Sequence, residues 1–428
     1  MGSRETADFL VVGGGVVGLT IALELRSRHP KATILVLEKE RDVGAHASGR
    51  NSGVVHAGFY YSADSLKARL TRRGNVRLTA WCEEHGLAIN KCGKLVVARG
   101  PHQLDGLEEL ARRGACNDVP VELVSAEEAR EIEPLAATYE RALWSPSTSA
   151  VDPSEIMASL VAACARRDVD VRLGVAWRGV RADVTHTSRG EIAAGYVVNA
   201  AGMYADRVAT AHGFGHGLTM LPFKGLYLYG NRSAPRLRVH VYPVPDLGMP
   251  FLGVHFTVTV TGAVKIGPTA FPAPWREGYG WDAHSRSRFV ADELAEVARS
   301  GLALFASDAS FRRHAFREAP KLTATHLVEE ASALVPEIRP SQFDRWGRPG
   351  IRAQLYDREA RRLVMDFRYE GDDRSAHVLN AVSPAFTCSF AFAERVVDDI
   401  ERWCGHDDEG SAVAVDPEPI QHPAKATG

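Results

Sequence analysis

A glycine-rich turn between a predicted strand and a predicted helix constrains the fold more than any other feature of the sequence. The apolar residues from Asp8 (DFLVVG) predict a buried strand, and VVGLTIALELRSRH predicts a helix. Between them, Gly13, Gly15 and Gly18 have the spacing G-x-G-x-x-G, and the next apolar strand, ATILVLE, ends at Glu38. Strand, glycine turn, helix, strand and acid together match the dinucleotide-binding pattern of a βαβ unit.

Each part of this pattern has a physical reason. Gly13 permits a tight turn, Gly15 lets a pyrophosphate approach the helix N-terminus, and Gly18 allows the helix to pack closely. Glu38 is placed to accept hydrogen bonds from ribose hydroxyls, which a glycine turn alone would not explain. No second such pattern is found, and the loop SGRNSGVVHAGFYY supplies small, hydrogen-bonding residues where a long cofactor would continue. These features favour FAD over NAD.

The composition restricts the remaining classes of protein. With 51 Lys+Arg against 53 Asp+Glu, the formal net charge is -2, so no global basic field is available to attract nucleic acid. The six cysteines form no CxxC pair, and we expect no metal site. No apolar stretch has the length of a membrane-spanning helix. We therefore expect a cytoplasmic protein without a transmembrane segment, with peripheral attachment to a membrane as the alternative.

The chain of 428 residues is long enough for two domains. Between Gly225 and Pro268, short apolar segments alternate with Gly/Pro turns, as in antiparallel sheets. We predict an α/β protein with a Rossmann-type FAD-binding domain and a second, substrate domain built on a mainly antiparallel sheet. The predicted FAD-binding domain is discontinuous and comprises residues 1–90, 146–216 and 343–404. The substrate domain comprises residues 91–145 and 217–342, and residues 405–428 form a flexible tail.

Three helices have recognisable starts in the sequence. One is expected to begin near Asp64. A second begins at Ser125, with Glu128 at capping-box spacing, and a third begins at Asp152-Pro153. A last long helix is predicted over FAERVVDDIERW.

Several longer motifs resemble one family. LEKE, SGRNSGVVHAGFYY, SLKARL, CGKLVVA, VVNAAGMYADR, YPVPD, PFLGVHFT, GPTA, REGY and GIRAQ occur in the order seen in FAD-dependent L-2-hydroxyglutarate dehydrogenases/oxidases. That family belongs to the D-amino-acid-oxidase-like flavoproteins, and the likeness extends from about Asp8 to Arg402. It implies oxidation of L-2-hydroxyglutarate, or a related dicarboxylate, to the 2-oxo acid by hydride transfer to flavin N5. The acceptor that reoxidises the flavin, oxygen or a quinone, is left open.

The resemblance also implies site residues. Arg352, in GIRAQ, matches the Gly-x-Arg position that binds the substrate carboxylate, where a planar guanidinium can bind bidentately. His56 or His255 is the expected base for the hydroxyl proton, and a core histidine is the competing interpretation of each. Further residues expected to bind substrate are Arg50, Tyr60, Lys224 and Tyr242. The residues expected to bind FAD are Gly13, Gly15, Val16, Val17, Gly18, Glu38, Lys39, Ser48, Asn51, Ser52, Gly53, Val175, Ala201, Gly202, Ser383, Pro384 and Thr387.

Ser383, Pro384 and Thr387 are expected to precede the last helix, whose N-terminal dipole would support the reduced flavin ring. Cys388, close by, could form a covalent flavin bond. We expect non-covalent FAD, because a buried apolar thiol is the commoner state of such a cysteine.

Several positions depart from the family pattern: Arg50 replaces an expected histidine, Leu226 replaces an acid, Phe386 is bulkier than the family residue, and Pro274-Trp275 replaces Phe-Lys before REGY. We expect Arg50 and Leu226 to make the pocket more attractive to anions, with a substrate longer or differently substituted than hydroxyglutarate. Two alternatives remain: an amine or amino-acid oxidase of the same superfamily, and a non-catalytic FAD-binding protein.

Overall fold

A computed structural model of the chain describes residues 5–246, 252–280 and 290–405. The strands are, in chain order, β1 (Glu5–Val12), β2 (Ile34–Glu38), β3 (Val54–Val55), β4 (Ile89–Asn90), β5 (Lys94–Val97), β6 (Glu122–Ser125), β7 (Arg141–Ser145), β8 (Ser149–Val151), β9 (Asp170–Leu173), β10 (Trp177–Arg181), β11 (Val184–Thr187), β12 (Gly190–Asn199), β13 (Leu218–Gly225), β14 (Leu228–Gly230), β15 (His240–Pro243), β16 (His255–Val258), β17 (Val264–Gly267), β18 (Phe271–Pro272), β19 (Phe343–Trp346), β20 (Gly350–Asp357), β21 (Arg362–Leu363), β22 (Arg368–Gly371) and β23 (Ser375–Asn380).

The α-helices are α1 (Val16–Arg28), α2 (Leu66–Glu84), α3 (Leu104–Cys116), α4 (Ala126–Ile132), α5 (Pro153–Arg166), α6 (Ala205–Ala211), α7 (Ala291–Ser307), α8 (Ala309–Glu318), α9 (Ala324–Ser332) and α10 (Ala385–Cys404). Short 3-10 helices lie at Ala47–Gly49, Pro101–Gln103, Gly202–Tyr204, Ala319–Leu322 and Pro340–Gln342. Within the described ranges, no helix has both the length and the apolar composition needed to cross a membrane. Apart from Gly405, the predicted tail lies outside the described residues.

The predicted βαβ unit is part of a parallel sheet to which the C-terminal strand β23 also belongs. Its strand order is β9-β2-β1-β12-β23, and every pair in this series is parallel. Helices α1, α2, α5 and α10 contribute buried apolar residues to one core with these strands. The apolar runs of β1 and β2 are buried because the parallel strands have neighbours on both faces. The α/β expectation is confirmed.

The large second sheet has the strand order β19-β14-β17-β16-β15-β5-β7-β6. All of its pairs are antiparallel except β15 with β5. This sheet confirms the expected mainly antiparallel architecture. The strand Phe343–Trp346 pairs with β14 in this sheet. The division into two domains at the stated residues stays a prediction.

A smaller sheet, β18-β13-β20-β21, places the GIRAQ motif. Strands β13 and β20 pair antiparallel without interruption from Leu218↔Asp357 to Gly225↔Gly350. Arg352 therefore lies near the end of a continuous ladder rather than on a loop. A fourth sheet joins β3, β8 and β4.

The three predicted helix starts are confirmed. Helix α2 begins at Leu66, and the side chain of Ser65 accepts a hydrogen bond from the N–H of Ala68. Helix α4 has the complete capping box of Ser125 and Glu128, in which each side chain accepts from the backbone N–H at the other position. Helix α5 is capped by Asp152.

The last helix begins earlier than predicted, at Ala385 instead of within FAERVVDDIERW. Thr387 therefore lies in the first turn of α10, and the expectation that it precedes the helix was wrong. Packing accounts for the extension, because this first turn lies against α2. A Cβ added to Gly74 of α2 would stand 2.4 Å from the carbonyl oxygen of Thr387, so the two helices need glycine at this contact. Pro384 takes the N-cap position, where its missing N–H costs nothing.

Candidate active site

The glycine turn joins β1 to α1 as predicted. Gly13 has a φ of +116°, a conformation that other residues rarely adopt. A Cβ on Gly18 would lie 1.9 Å from the carbonyl oxygen of Gly13, so only glycine lets the helix approach this closely. Gly15 is the N-cap of α1 and offers no side-chain cap. The N-terminal dipole of α1, and the chain segment of Val16 and Val17, therefore lie at this turn.

Glu38, at the end of β2, lies beside the turn. Its Oε2 accepts a hydrogen bond from the N–H of Gly14 at 3.0 Å, and its Oε1 accepts from the N–H of Glu40 at 2.9 Å. The N–H of Val175 donates to the carbonyl of Glu38 at 2.9 Å. An uncapped helix N-terminus suits a pyrophosphate, and a carboxylate at the neighbouring strand end suits a ribose. The residues present therefore fit a dinucleotide.

The carboxyl ends of neighbouring parallel strands form one edge of this site. Strand β12 ends beside β1, and the N–H of Ala200 donates to the carbonyl of Val12 at 2.9 Å. The N–H of Ala201 donates to Asn199 Oδ1 at 3.1 Å. A Cβ built on Gly202 would meet no atom of the described residues within 4 Å, so none of them fills the space beside it. Ligands of open α/β sheets bind at this kind of edge.

The Gly/Ser-rich loop after β2 is held by its own side chains. Ser48 Oγ accepts a hydrogen bond from the N–H of Val16 at 2.9 Å, which ties the loop to the first turn of α1. Asn51 Nδ2 donates to the carbonyl of Ser48 at 2.8 Å, and its Oδ1 accepts from the N–H of Gly53 at 2.9 Å. Ser52 Oγ accepts from the N–H of Val54 at 3.3 Å. The structure thus uses these side chains to stabilise turns, and their FAD contacts stay predictions.

Lys39 lies in an ion-pair network. Its Nζ is 2.7 Å from Glu277 Oε1 and 2.9 Å from His46 Nε2, and it also contacts Glu40. Glu40, His46 and Glu277 place potential metal-ligand atoms within 4.8 Å of one another. The hydrogen bond from His46 and the Lys39 ammonium lower the pKa of Glu40 to about 2, although burial opposes the shift. Because the Lys39 ammonium already pairs with both carboxylates, we interpret the cluster as a contact between the loop and the segment at Glu277.

The first turn of α10 positions His56. Thr387 Oγ1 accepts a hydrogen bond from the N–H of His56 at 3.1 Å and donates to the carbonyl of Val54 at 3.4 Å. Asn75 Nδ2 donates to the carbonyl of His56 at 3.1 Å. The backbone of His56 is therefore fixed on both sides, and the Thr387 hydroxyl, expected at the cofactor, is engaged here. Ser383 is exposed just before the helix.

One face of the large sheet carries buried polar side chains. In the register of β5, β15 and β16, Lys94 pairs with His240, and Val96 pairs with Tyr242. Val241 pairs with Phe256, which puts Tyr242 opposite His255. Alternation places these polar residues on one face and the apolar core on the other. The core residues of the same strands are Leu95, Val97, Val241, Phe256, Val258, Val264 and Ile266. We call the set Lys94, His240, Tyr242, His255, Thr257 and Lys265 the polar face.

The two candidate bases are both uncharged at neutral pH. Burial lowers the pKa of His56 well below its usual value, and the Lys94 charge lowers it further. Burial lowers the pKa of His255 to about 3, although its bond to Gly253 opposes this. His255 Nδ1 lies 2.7 Å from the carbonyl oxygen of Gly253. A carbonyl can only accept, so Nδ1 carries the hydrogen and Nε2 presents the lone pair.

Tyr242 and Tyr60, which were both expected to bind substrate, lie against Lys94, for which no role was expected. The Tyr242 ring stacks on His255 with centroids 3.7 Å apart. Lys94 Nζ lies 4.1 Å from the Tyr242 ring centroid and 5.0 Å from that of Tyr60. In the described part of the chain, Lys94 Nζ, Tyr60 Oη and His56 Nδ1 are buried without a hydrogen-bond partner. Such unmatched groups in one region are typical of a site that binds a polar ligand.

Sequence reasoning missed Lys94 as a site residue. The signal was available in the alternation of CGKLVVA, HVYP and HFTV, where polar residues recur on one face of otherwise apolar strands. Burial lowers the pKa of Lys94 to about 7. A buried ammonium without an anion is costly, which is why its proton is held so weakly.

Arg352 lies on β20 opposite Phe223 and is partly accessible. Burial lowers its pKa, and Tyr61 and Tyr227 oppose this shift. Lys224 pairs with Ile351, so the alternation of the ladder directs Lys224 to the opposite face from Arg352. The structure therefore does not bring these two predicted substrate-binding residues together.

The side chain of Arg50 contacts its own loop and the segment that precedes β20. Its Nε donates to the carbonyl of Ala45 at 2.6 Å and its Nη1 donates to the carbonyl of Pro349 at 3.1 Å. Its guanidinium carbon stands 4.3 Å from the ring centroid of Tyr279. These contacts hold the loop against the segment before β20. The hypothesis that Arg50 adds a cation over the flavin stays a prediction.

Comparison with known proteins agrees with this architecture. The profile of the FAD dependent oxidoreductase family matches residues 8–398. The mitochondrial L-2-hydroxyglutarate dehydrogenase of Homo sapiens is 35% identical over 424 residues, which cover 94% of this chain and 90% of that protein. The L-2-hydroxyglutarate dehydrogenase of Indibacter alkaliphilus is 34% identical over 404 residues, covering 91% and 97%.

A solved structure with the same fold is dithionite-reduced L-α-glycerophosphate oxidase from Mycoplasma pneumoniae with FAD bound. It superposes with a TM-score of 0.72 at 21% identity and covers 96% of this chain and 97% of that one. At this level of identity the likeness concerns the fold alone. It confirms the expected flavoprotein architecture.

Proposed function

We propose that this chain, which belongs to the FAD dependent oxidoreductase family, oxidises L-2-hydroxyglutarate or a closely related dicarboxylate to the 2-oxo acid. The observation that carries the proposal is the pair of cations near neutral histidines, the buried Lys94 and the partly accessible Arg352. The charges of both Lys94 and Arg352 lower the pKa of His56. Such a site suits an anionic substrate whose proton an imidazole removes. The names of the relatives at 34% and 35% identity support the same substrate.

The reaction breaks the C2–H bond with its electron pair and removes the hydroxyl proton. When bound, FAD supplies the two-electron acceptor of this reaction. Arg352 binds the C1 carboxylate through its guanidinium, which can donate two parallel hydrogen bonds. His56 accepts the hydroxyl proton, since its neutral ring retains a lone pair. The buried polar face excludes water, which strengthens each of these interactions.

We expect the loss of His56 to affect chemistry more than the loss of His255. His255 Nδ1 is engaged by Gly253, and its ring is fixed by Tyr242, whereas His56 has an unpartnered Nδ1 among the described residues. His56→Asn should lower the rate constant of anaerobic flavin reduction by roughly 100- to 10,000-fold. His255→Asn is the matched control. A larger effect of the His255 change would make His255 the base.

The pH dependence of kcat/KM follows from the lowered pKa of His56. A base must be unprotonated, and a base with a lowered pKa stays unprotonated as the pH falls through the ordinary imidazole range near ~6.5. We therefore expect no acid-side decrease of kcat/KM around that pH. A decrease with a midpoint there would contradict a buried, neutral His56 in the free enzyme.

FAD should be held without a covalent bond. Burial raises the pKa of the Cys388 thiol to about 12, and its Sγ lies 3.4 Å from Thr71 Oγ1. The thiol is therefore protonated and weakly nucleophilic. Acid precipitation of the yellow protein should leave the flavin in the supernatant. Flavin that remains in the pellet would assign a covalent attachment.

A direct experiment tests the function. The holoenzyme is mixed anaerobically with L-2-hydroxyglutarate, the loss of flavin absorbance is followed, and the products are analysed. Formation of 2-oxoglutarate supports the proposal. Ammonia from an amine substrate would instead support the amine-oxidase alternative, and no reduction by any hydroxy or amino acid would support a non-catalytic FAD-binding protein.

We propose oxygen or a quinone as the acceptor that reoxidises the flavin. Hydrogen peroxide formed in air indicates oxygen, and quinone-dependent turnover without peroxide indicates a quinone. A cytoplasmic location, or peripheral attachment to a membrane, stays a prediction.

A further inference from the structure

We propose that Lys94 binds the distal carboxylate of the substrate and makes the enzyme selective for diacids over monoacids. This inference rests on the proposed function, in which Arg352 binds the C1 carboxylate. Lys94 would then be a specificity-determining residue, and the chemical class it selects is an acid with a second carboxylate at the end of a short chain.

The surroundings of Lys94 leave its charge uncompensated within the described residues. Its Nζ lies against aromatic faces, 4.1 Å from the Tyr242 ring centroid, 5.0 Å from that of Tyr60 and 5.7 Å from that of Phe59. No hydrogen-bond acceptor meets it in the part of the chain that the structure describes. Aromatic faces attract a cation but accept no strong hydrogen bond from it. An anionic ligand would provide the missing acceptor.

The other buried lysines of the described ranges are engaged. Lys67 Nζ donates to the carbonyl of Met365, Lys265 Nζ donates to the carbonyl of Ser52 at 3.0 Å, and Lys321 Nζ lies 2.6 Å from Glu318 Oε1. Each of these ammonium groups therefore has a partner in the protein itself. Lys94, with a relative exposure of 0%, is buried as deeply as any of them. A purely structural lysine would be expected to resemble its three counterparts.

Lys94 and Arg352 both lie near enough to His56 for their charges to lower its pKa. The Arg352 charge also lowers the pKa of Lys67, but it is not among the influences on Lys94. Lys94 lies on strand β5 of the large sheet, and Arg352 lies on strand β20 of the smaller sheet. Two cations on separate sheets, both near the proposed base, suit a substrate with a carboxylate at each end.

The kinetic test compares two acids of equal length. L-2-Hydroxyvalerate has a methyl group where L-2-hydroxyglutarate has the C5 carboxylate. With the holoenzyme, Lys94→Met should lower kcat/KM for the diacid by about 100-fold, the order expected for a buried charge pair, and change the monoacid by less than about threefold. Lys265→Met, a matched lysine on the same polar face, should change both acids by the same factor.

An equal loss for both acids would show a structural role and overturn the assignment, as would no loss for the diacid. Lys94→Arg, which keeps the charge, should retain part of the diacid preference. If Lys265→Met rather than Lys94→Met causes the diacid-selective loss, the assignment to Lys94 is wrong.

A binding experiment separates this inference from the proposed function, because it requires no turnover. Glutarate and valerate are titrated into the holoenzyme, and the perturbation of the flavin spectrum gives their dissociation constants. Glutarate should bind more tightly to the wild type, and Lys94→Met should abolish that difference. If no 2-hydroxy acid reduces the flavin, the proposed function fails, while this titration still supports or overturns the carboxylate site.

The pH dependence of the preference for glutarate over valerate is a further test, because a purely structural role of Lys94 would not affect it. The titratable groups around Lys94 are Cys92, His56, His240, His255, Tyr60 and Tyr242. Burial lowers the pKa of Lys94 to about 7, so its charge is present below that pH and lost above it. The preference for glutarate over valerate should fall as the pH rises through about 7 in the wild type, and the Lys94→Met protein should show no such change. A wild-type preference that is flat across this range overturns the inference.

Discussion

Replacing Arg352 by lysine is expected to reduce kcat/KM for the 2-hydroxy acid by roughly 30- to 1,000-fold, or about 2 to 4 kcal/mol of transition-state stabilisation. A lysine ammonium is a single point charge and cannot donate the two parallel hydrogen bonds of a guanidinium to a carboxylate. Arg352 sits on the continuous β13–β20 ladder, so its backbone is held while the side chain changes. FAD binding should be unchanged.

The comparison of acids distinguishes Arg352 from Lys94. Arg352→Lys should lower kcat/KM for L-2-hydroxyglutarate and L-2-hydroxyvalerate by the same factor, because both carry the C1 carboxylate. The matched control is Arg358→Lys, just beyond the end of β20, where the arginine is exposed. Kinetics of Arg352→Lys that equal those of the wild type would remove Arg352 from the site.

The local parts of the fold were predictable because their signals lie close together in the sequence. Gly13, Gly18 and Glu38 lie within one βαβ unit, and the turn, helix and strand each require those residues for local reasons. The capping box at Ser125 is likewise complete within four residues. These elements form as expected since no distant contact is needed to specify them.

Long-range contacts explain what the sequence did not show. Strand β5 pairs parallel with β15, so Lys94 lies beside His240, and no local pattern states which strands become neighbours. The early start of α10 similarly depends on its contact with Gly74 of α2. Tertiary packing of this kind overrides local propensity.

The candidate site shows the same division. His255 and Tyr242 were recognisable from motifs, but their stacking, and the contact of the Lys94 ammonium with the Tyr242 ring, depend on the register of three strands. Arg50 was expected in the pocket because it departs from the family motif. Its guanidinium bonds to the carbonyls of Ala45 and Pro349, contacts that only the folded loop creates, and its role toward the substrate stays a prediction. A departure in a motif therefore identifies a position of interest without showing which way its side chain points.

Gly15→Ala is expected to weaken FAD binding by about 100-fold, or ~3 kcal/mol, while leaving the fold intact. Among the described residues, a Cβ on Gly15 would meet only Ser48 Oγ, at 3.1 Å, which a shift of the Ser48 side chain by a few tenths of an ångström can relieve. The backbone of Gly15 is extended, with φ -74° and ψ 175°, so alanine causes no strain there. The substitution should lower the affinity for FAD, because the new methyl group would occupy the space in which a pyrophosphate approaches the N-terminus of α1.

The measurement is a fluorescence titration of the apoprotein with FAD, with far-UV circular dichroism to verify that the variant is folded. Gly301→Ala is the matched control, since a Cβ at this position in α7 would meet no atom of the described part of the chain within 4 Å. It should bind FAD as the wild type does. If Gly15→Ala binds FAD with wild-type affinity, the pyrophosphate does not pass this turn. The glycine pattern would then serve only the packing of α1, and Glu38 would be explained by its hydrogen bonds to Gly14 and Glu40 alone.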